Sequence, residues 1–143
     1  MKVLAVNGSP RPEGNTANML RAVLEICRDA GLHTELYQAG GRPVQGCMAC
    51  GGCRGHVGRC AIDDWANEVY VKMTEADAIL LGSPTYFADL TPEMKAVIDR
   101  CGYIAGGAGK SLSRKVEPPS VPSGARAGFT RWTPCSTFSS STT

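Results

Sequence analysis

The sequence predicts a doubly wound parallel α/β sheet, and three observations carry that reading. Two continuous apolar runs, Val3-Leu4-Ala5-Val6 and Ala78-Ile79-Leu80-Leu81, have the pattern of strands buried on both faces. Segments with apolar residues at helical spacing lie between the strand candidates. The resulting order, β-α-β-loop-α-β-α, is that of a parallel sheet with right-handed crossovers. The chain has 143 residues, the length of one domain. A domain of that size buries roughly 68% of its unfolded surface.

The first strand ends at Asn7-Gly8. A helix capped by Asn15 or Thr16 follows and ends near Gly31, with Met19, Leu20, Val23, Ile26 or Cys27, and Ala30 as its inward stripe. Thr34 to Tyr37 is a short second strand. Positions 38–62 form a loop rich in glycine and cysteine, and so long a loop in a compact domain is functional or disordered. Asp63 caps a second helix whose Ala66, Val69, Met73 and Ala76 point inward. The third strand, Ala78 to Leu81, ends at Gly82. Thr91 caps a third helix, with Pro92 at its first position and Glu93 favourable to the dipole. Met94, Val97, Ile98 and Cys101 make the core face of that helix.

Composition excludes several classes. Fifteen bases against thirteen acids give a net charge of +2, which leaves no basic footprint for nucleic acid. No run of about 18 apolar residues exists, so no membrane-spanning helix is expected. The N-terminus lacks the length and cleavage site of a signal peptide and reads as a buried strand. Seven cysteines are many, and the odd number argues against a fully paired secreted framework. Four of them crowd into positions 47–60, which points to metal or redox chemistry in a cytoplasmic chain. Cys27 and Cys101 fall on inward helix faces as small hydrophobes. His33 and His56 are single and carry no assignment.

In open α/β sheets ligands sit beyond the carboxyl ends of the strands, at the switch point. Two loops arrive there, and both begin Gly-Ser-Pro. The first, Gly8-Ser9-Pro10-Arg11-Pro12-Glu13-Gly14-Asn15-Thr16, enters a helix whose free N–H groups suit a phosphate. Ser9, Asn15 and Thr16 add donors, Arg11 adds charge, and Gly8 and Gly14 let the backbone come close. A plain βα turn would need only Thr16 and one glycine. The second loop, Gly82-Ser83-Pro84-Thr85-Tyr86-Phe87, puts two aromatics where a planar ring could lie, or where surface aromatics simply stand. A third stretch, Gly106-Gly107-Ala108-Gly109-Lys110-Ser111, imitates a nucleotide P-loop. It has Ile104 where the motif needs its first glycine, and it follows a helix rather than a strand, so it reads as a flexible glycine-rich loop.

The cysteine loop is Cys47-x2-Cys50-x2-Cys53-x6-Cys60. Four thiolates in one short loop can hold a [4Fe-4S] cluster or a structural zinc. A loop without metal is the remaining alternative.

Together the two Gly-Ser-Pro loops, with Met94-Lys95-Ala96 and Ile98-Asp99-Arg100 after the second, resemble the NAD(P)H-dependent FMN reductase branch of flavodoxin-like proteins. The resemblance covers residues 1–116 and implies a flavodoxin-like three-layer sandwich. It implies that Ser9, Arg11, Gly14, Asn15 and Thr16 bind the FMN phosphate. It places Ser83, Pro84, Thr85, Tyr86 and Phe87 around the isoalloxazine. The cysteine loop and the Asp63-Asp64 pair after it resemble the iron–sulfur flavoproteins of the same family, which implies a [4Fe-4S] cluster on Cys47, Cys50, Cys53 and Cys60. The activity implied is that of an FMN-dependent oxidoreductase fed by NAD(P)H or a ferredoxin-type donor, in a homo-oligomer. A flavodoxin-like electron carrier and a non-functional remnant are the alternatives. In this family the protein mostly positions the flavin, so no catalytic acid or base is expected.

Residues 117–143 differ in composition. They hold four of the nine prolines and a single acid, Glu117, and end in a run of serines and threonines. This segment is expected to be a disordered tail, leaving residues 1–116 as a partial FMN-binding domain, incomplete at its C-terminus. Allowed GC-rich codons read one base earlier from the Val116 codon yield a strand-like and then a helix-like string, so a frameshift is one expected origin. A natural short variant is the other. Either way the third strand is expected to form an exposed edge, and the chain is expected to fold poorly or to bind FMN weakly.

Overall fold

In the computed structural model, which describes residues 1–55, 58–109, 111–113, 115 and 127–128, the first apolar run forms the middle of the sheet. This strand, β1 (Lys2–Asn7), lies between β2 (His33–Gln38) and β3 (Ala78–Pro84). Both neighbours run parallel to it, with Asn7 opposite Gln38 on one side and Gly82 on the other. The helices are α1 (Asn15–Asp29), α2 (Gly52–Gly55), α3 (Trp65–Glu75) and α4 (Pro92–Gly107).

Side chains alternate along β1 as the pleat requires. Leu4 and Val6 pack with Val69, Tyr70 and Met73 of α3 and with Met94, Val97 and Ile104 of α4. Val3 and Ala5 face the other way, onto Leu20 and Leu24 of α1. Helices thus cover both faces, and the fold is the flavodoxin-like α/β sandwich. Its strand order, β2-β1-β3, puts the switch point between β1 and β3. Among the described residues no helix is long and apolar enough to cross a membrane.

Several local expectations are corrected. The buried face of α1 is Thr16, Ala17, Leu20 and Leu24. Val23 and Ile26, expected inside, are exposed, Ile26 to 70%. The cause is Gly82: a Cβ there would lie 2.8 Å from Leu20 Cδ1 and 3.1 Å from Thr16 Cγ2, so the bare glycine draws α1 down on that stripe. Gly14, not Asn15 or Thr16, is the N-cap of α1. Asp64, not Asp63, caps α3 through its bond from Ala66 N. Thr91 caps α4 as expected, with Pro92 in its first turn. Gly106 and Gly107 belong to α4 rather than to a glycine-rich loop. The long loop after β2 contains the single-turn α2.

β3 is mostly half-buried along Ala78–Leu81, whereas β1 is buried from Val3 on. A two-residue strand, β4 (Ala127–Gly128), pairs antiparallel with Ser83 and Pro84 at the carboxyl end of β3. That end is therefore not a free edge. Apart from β4, the expected disordered tail at 117–143 and its Cys135 lie outside the described residues.

The α1 face is testable. Leu20→Ala should cost about 2–5 kcal/mol, as for a buried leucine. Ile26→Ala should change stability by less than about 0.5 kcal/mol. Denaturant unfolding of both variants reads the difference, and equal costs would contradict this packing.

Candidate functional site

The carboxyl ends of β1, β2 and β3 are tied together by buried polar groups. Gly8 N donates to Gly82 O at 2.7 Å. Asn7 O accepts from both Ala39 N and Gly40 N at 2.9 Å. The Asn7 amide donates to Gln38 Oε1 at 2.7 Å, and its own oxygen accepts from Ser9 N at 3.0 Å. Gln38 Nε2 donates to the carbonyls of Ser9 and Gly40, at 2.7 and 2.8 Å. Thr91 Oγ1, fully buried, donates to Gly8 O at 2.8 Å. Gly40 is forced by this closeness: a Cβ there would sit 2.3 Å from the Ser9 carbonyl.

The loop from Gly8 to Gly14 is thus held at its start, and the rest is folded by its own groups and by Arg21. Arg11 N donates to Ser9 Oγ at 3.2 Å, and Gly14 N to Arg11 O at 3.1 Å. Arg21 reaches back from α1 with a two-pronged bond to Glu13, at 2.9 and 2.7 Å, and a third bond to Pro12 O. The end of α1 above this loop has no side-chain cap and no acid in its first turn. Its first N–H groups are therefore available to an anion. Ser9 and Thr16 are buried beside them, while Arg11 and Asn15 are exposed at the rim. At Gly14 a Cβ would meet Arg11 Cβ at 3.0 Å and Ser9 Oγ at 3.7 Å, so the concave side of the loop stays open only with glycine. This uncapped, glycine-lined cradle fits a phosphate.

In the second loop the predicted residues divide. Ser83 is buried, and its hydroxyl is occupied by Thr91 N at 3.0 Å and Pro84 O at 2.9 Å, so it shapes the loop from inside. Thr85, Tyr86 and Phe87 are exposed at the tip. A tight turn closes there, with Tyr86 N and Asp89 O, and Asp89 N and Tyr86 O, both at 2.6 Å. Phe87 and Ala88 take positive φ angles of 24° and 69° in that turn. The two aromatic rings stand clear of the core, free to cover a planar ligand.

The cysteine loop is fastened at both ends. At its entry the Arg42 guanidinium lies over the Tyr37 and Trp65 rings, 5.5 and 5.0 Å from their centroids, and Trp65 Nε1 donates to Pro43 O. At its exit Cys60 N donates to Asn67 Oδ1 at 2.8 Å, and Asn67 Nδ2 donates to Ile62 O at 3.0 Å. Arg100 of α4 joins entry to exit. Its Nη1 donates to Asp64 Oδ2 at 2.6 Å and to Gln45 O at 3.2 Å, and its Nη2 to Ile62 O at 3.0 Å. Burial pushes the Asp64 carboxyl up, but the Arg100 and Ala66 hydrogen bonds more than offset that and hold it below its usual range.

Cys47, Cys50, Cys53 and Cys60 all line one cavity of about 360 Å³, together with Arg100 and Tyr103. All four are free thiols, Cys47 and Cys50 exposed, Cys53 and Cys60 half-buried. Among the described residues no three His, Cys, Asp or Glu side chains are arranged to hold a metal ion together. Cys101 is buried apart from them, and burial pushes its thiol up to about 12, which suits a core residue. Motif reading gives no role to Asn7, Arg21 or Gln38, and Arg100 enters it only as part of the family resemblance. Only Arg100 left a clear signal, a cation in the apolar stripe Val97, Cys101, Ile104.

Comparison with known proteins gives the family. A family model described as NADPH-dependent FMN reductase matches residues 1–132, beyond the boundary expected at residue 116. An iron–sulfur flavoprotein of Methanocaldococcus jannaschii is 40% identical over 100 residues, 70% of this chain and 51% of that protein. One of Methanosarcina thermophila is 36% identical over 100 residues, 70% of this chain and 52% of its own length. One of Archaeoglobus fulgidus is 37% identical over 128 residues, 90% of this chain and 62% of its own length. The chain spans about half the length of the first two relatives and somewhat more of the third.

Asp64→Ala removes a helix cap and strands the buried Arg100, so it should cost about 3–5 kcal/mol at neutral pH. The native folded-state pKa of Asp64 is depressed, so its contribution is complete above the unfolded value and fades as pH falls through the folded one. The stability gap between parent and variant should therefore hold from pH 7 to about 4 and narrow below that. Urea unfolding at a series of pH values measures it, and a gap that widens on acidification would contradict this assignment.

Proposed function

This chain belongs to the NADPH-dependent FMN reductase family, and we propose that it supplies the flavin site of an FMN-dependent oxidoreductase with an iron–sulfur relay on its cysteine loop. The observation that carries this reading is the uncapped N-terminus of α1 at the β1/β3 switch point. A phosphate dianion there would meet free N–H groups, the positive end of the helix dipole, and the hydroxyls of Ser9 and Thr16. Asn15 and the Arg11 guanidinium would close over it from the rim. Pro84, Thr85, Tyr86 and Phe87 would cover the isoalloxazine, with Ser83 holding their loop in shape.

When bound, FMN takes up a hydride or single electrons, and the protein's part is to place it and shield it from water. No side chain is assigned as acid or base. Electrons would come from NAD(P)H or a ferredoxin-type donor. Cys47, Cys50, Cys53 and Cys60 would hold a [4Fe-4S] cluster. The donor set fits, four free thiols lining one cavity. The names of the archaeal relatives support the same assignment.

An absorption spectrum of the anaerobically purified protein tests the cofactors: flavin bands report FMN, and a broad shoulder bleached by dithionite reports the cluster. Oxidation of NAD(P)H with a quinone or free flavin acceptor separates an enzyme from a carrier. Arg11→Ala and Thr16→Val should each weaken FMN binding about tenfold or more, the worth of one hydrogen bond to a charged group. Ile26→Ala, on the outer face of α1, should bind as the parent does. Titration of flavin fluorescence measures all three, and equal affinities would contradict the phosphate site.

A further inference from the structure

Arg100 is the one fully buried cation among the described residues, its side chain wholly inaccessible to water. A guanidinium carries five N–H donors in a fixed fork, and burying one costs several kcal/mol unless acceptors surround it. Three acceptors surround the outer nitrogens: Asp64 Oδ2, Gln45 O and Ile62 O. The inner nitrogen, Nε, is buried with no acceptor, and no other described side-chain N or O atom shares that condition. An unpaired buried donor of this kind costs on the order of 1–3 kcal/mol.

The surroundings supply a reason for it. Arg100 lines the cavity that holds Cys47, Cys50, Cys53 and Cys60. Cys60 lines the same cavity wall, and although burial works against the Arg100 charge, Asp64 and then Cys60 favour it. Of the described arginines in the loop, Arg54 and Arg59 are exposed, and Arg59 is paired with Asp63 at 2.7 Å, so solvent screens both, while Arg42 is stacked over the Tyr37 and Trp65 rings at the loop's entry. Four thiolates with their irons carry net negative charge that grows by one on reduction. Hydrogen bonds to sulfur and nearby charge are the protein's levers on a cluster's potential.

We propose that Arg100 is the potential-setting residue of the cysteine centre: its Nε–H donates to the ligand sulfur of Cys60, and its charge favours the reduced cluster. Asp64 partly neutralises that charge and fixes its direction. Arg100 is thus a positioning residue that acts on the electron carrier from outside its ligand set. The inference rests on the cysteines being cluster ligands.

The test is a dye-mediated redox titration of the anaerobically reconstituted chain, followed by electron paramagnetic resonance, with iron, sulfide and FMN counted in each sample. Arg100→Gln should lower the equilibrium constant for one-electron reduction of the cluster about tenfold, a shift of ~59 mV to lower potential. Arg100→Lys keeps the charge but loses Nε, and should shift part of the way. Asp64→Asn, which leaves the guanidinium less compensated, should shift the potential upward. If Arg100→Gln cannot be loaded, the opposite signs in Arg100→Lys and Asp64→Asn decide the matter. Loaded variants at the parent potential would overturn the role of Arg100 and leave the cluster assignment standing. A parent chain that takes up no iron would overturn both.

Discussion

The contact between Arg100 and Asp64 is the constraint on which the functional half of this molecule depends. Asp64 has two tasks in one carboxylate, capping α3 through Ala66 N and pairing with the buried guanidinium. Arg100 in turn grips the carbonyls of Gln45 and Ile62, which bracket the four cysteines. One side chain from α4 therefore joins the two ends of a loop that Trp65 and Asn67 of α3 also fasten, which lowers the entropic cost of closing it. A buried ion pair is weak evidence for stability in itself, since desolvation offsets much of the attraction. Its better explanation here is placement of the sulfurs.

The flavin half follows a different economy. Its cradle contains no buried charge and relies on amide and hydroxyl groups: Asn7, Gln38 and Thr91 tie three strand ends together through backbone carbonyls. These residues turn the carboxyl edge into a rigid platform, and the exposed groups on it, Arg11, Asn15, Tyr86 and Phe87, are left to meet a ligand. Rigid support beneath exposed reactive or binding groups is the usual arrangement of sites on α/β sheets. The two halves share α4: its cap Thr91 holds the cradle, and Arg100 two turns later holds the cysteine loop.

Much of this was legible in the sequence because the signals were local. Continuous apolar runs identified β1 and β3, and Thr91-Pro92 identified the start of α4. The glycines and small donors between Gly8 and Thr16 marked a candidate phosphate loop, although the sequence implied a side-chain cap that the structure lacks. What was not legible depended on distant partners. α1 carries two apolar stripes of equal period, and only the approach of Gly82 selects Leu20 and Leu24 over Val23 and Ile26. Asp63 and Asp64 are alike in sequence, and Arg100, 36 residues away, decides which one caps. The cysteine spacing suggested a ligand set, while the loop's geometry depends on Asn67 and Trp65, which no motif includes, and on Arg100, which the family resemblance includes without a role.

If Arg100 and α3 build the rim of the cysteine loop before any metal arrives, hydrogen exchange on the metal-free chain will show it. The amides of Cys60 and Ala66 donate to Asn67 Oδ1 and Asp64 Oδ1, at 2.8 and 3.1 Å, and should exchange slowly. The amides between Cys47 and Gly51, which have no such anchors to α3 or α4, should exchange fast. Slow exchange at Cys60 and Ala66, lost on replacing Arg100 by glutamine, is the expected result. Exchange of both at unprotected rates in the metal-free parent would contradict the account, because the loop would then be assembled by its metal and not by Arg100.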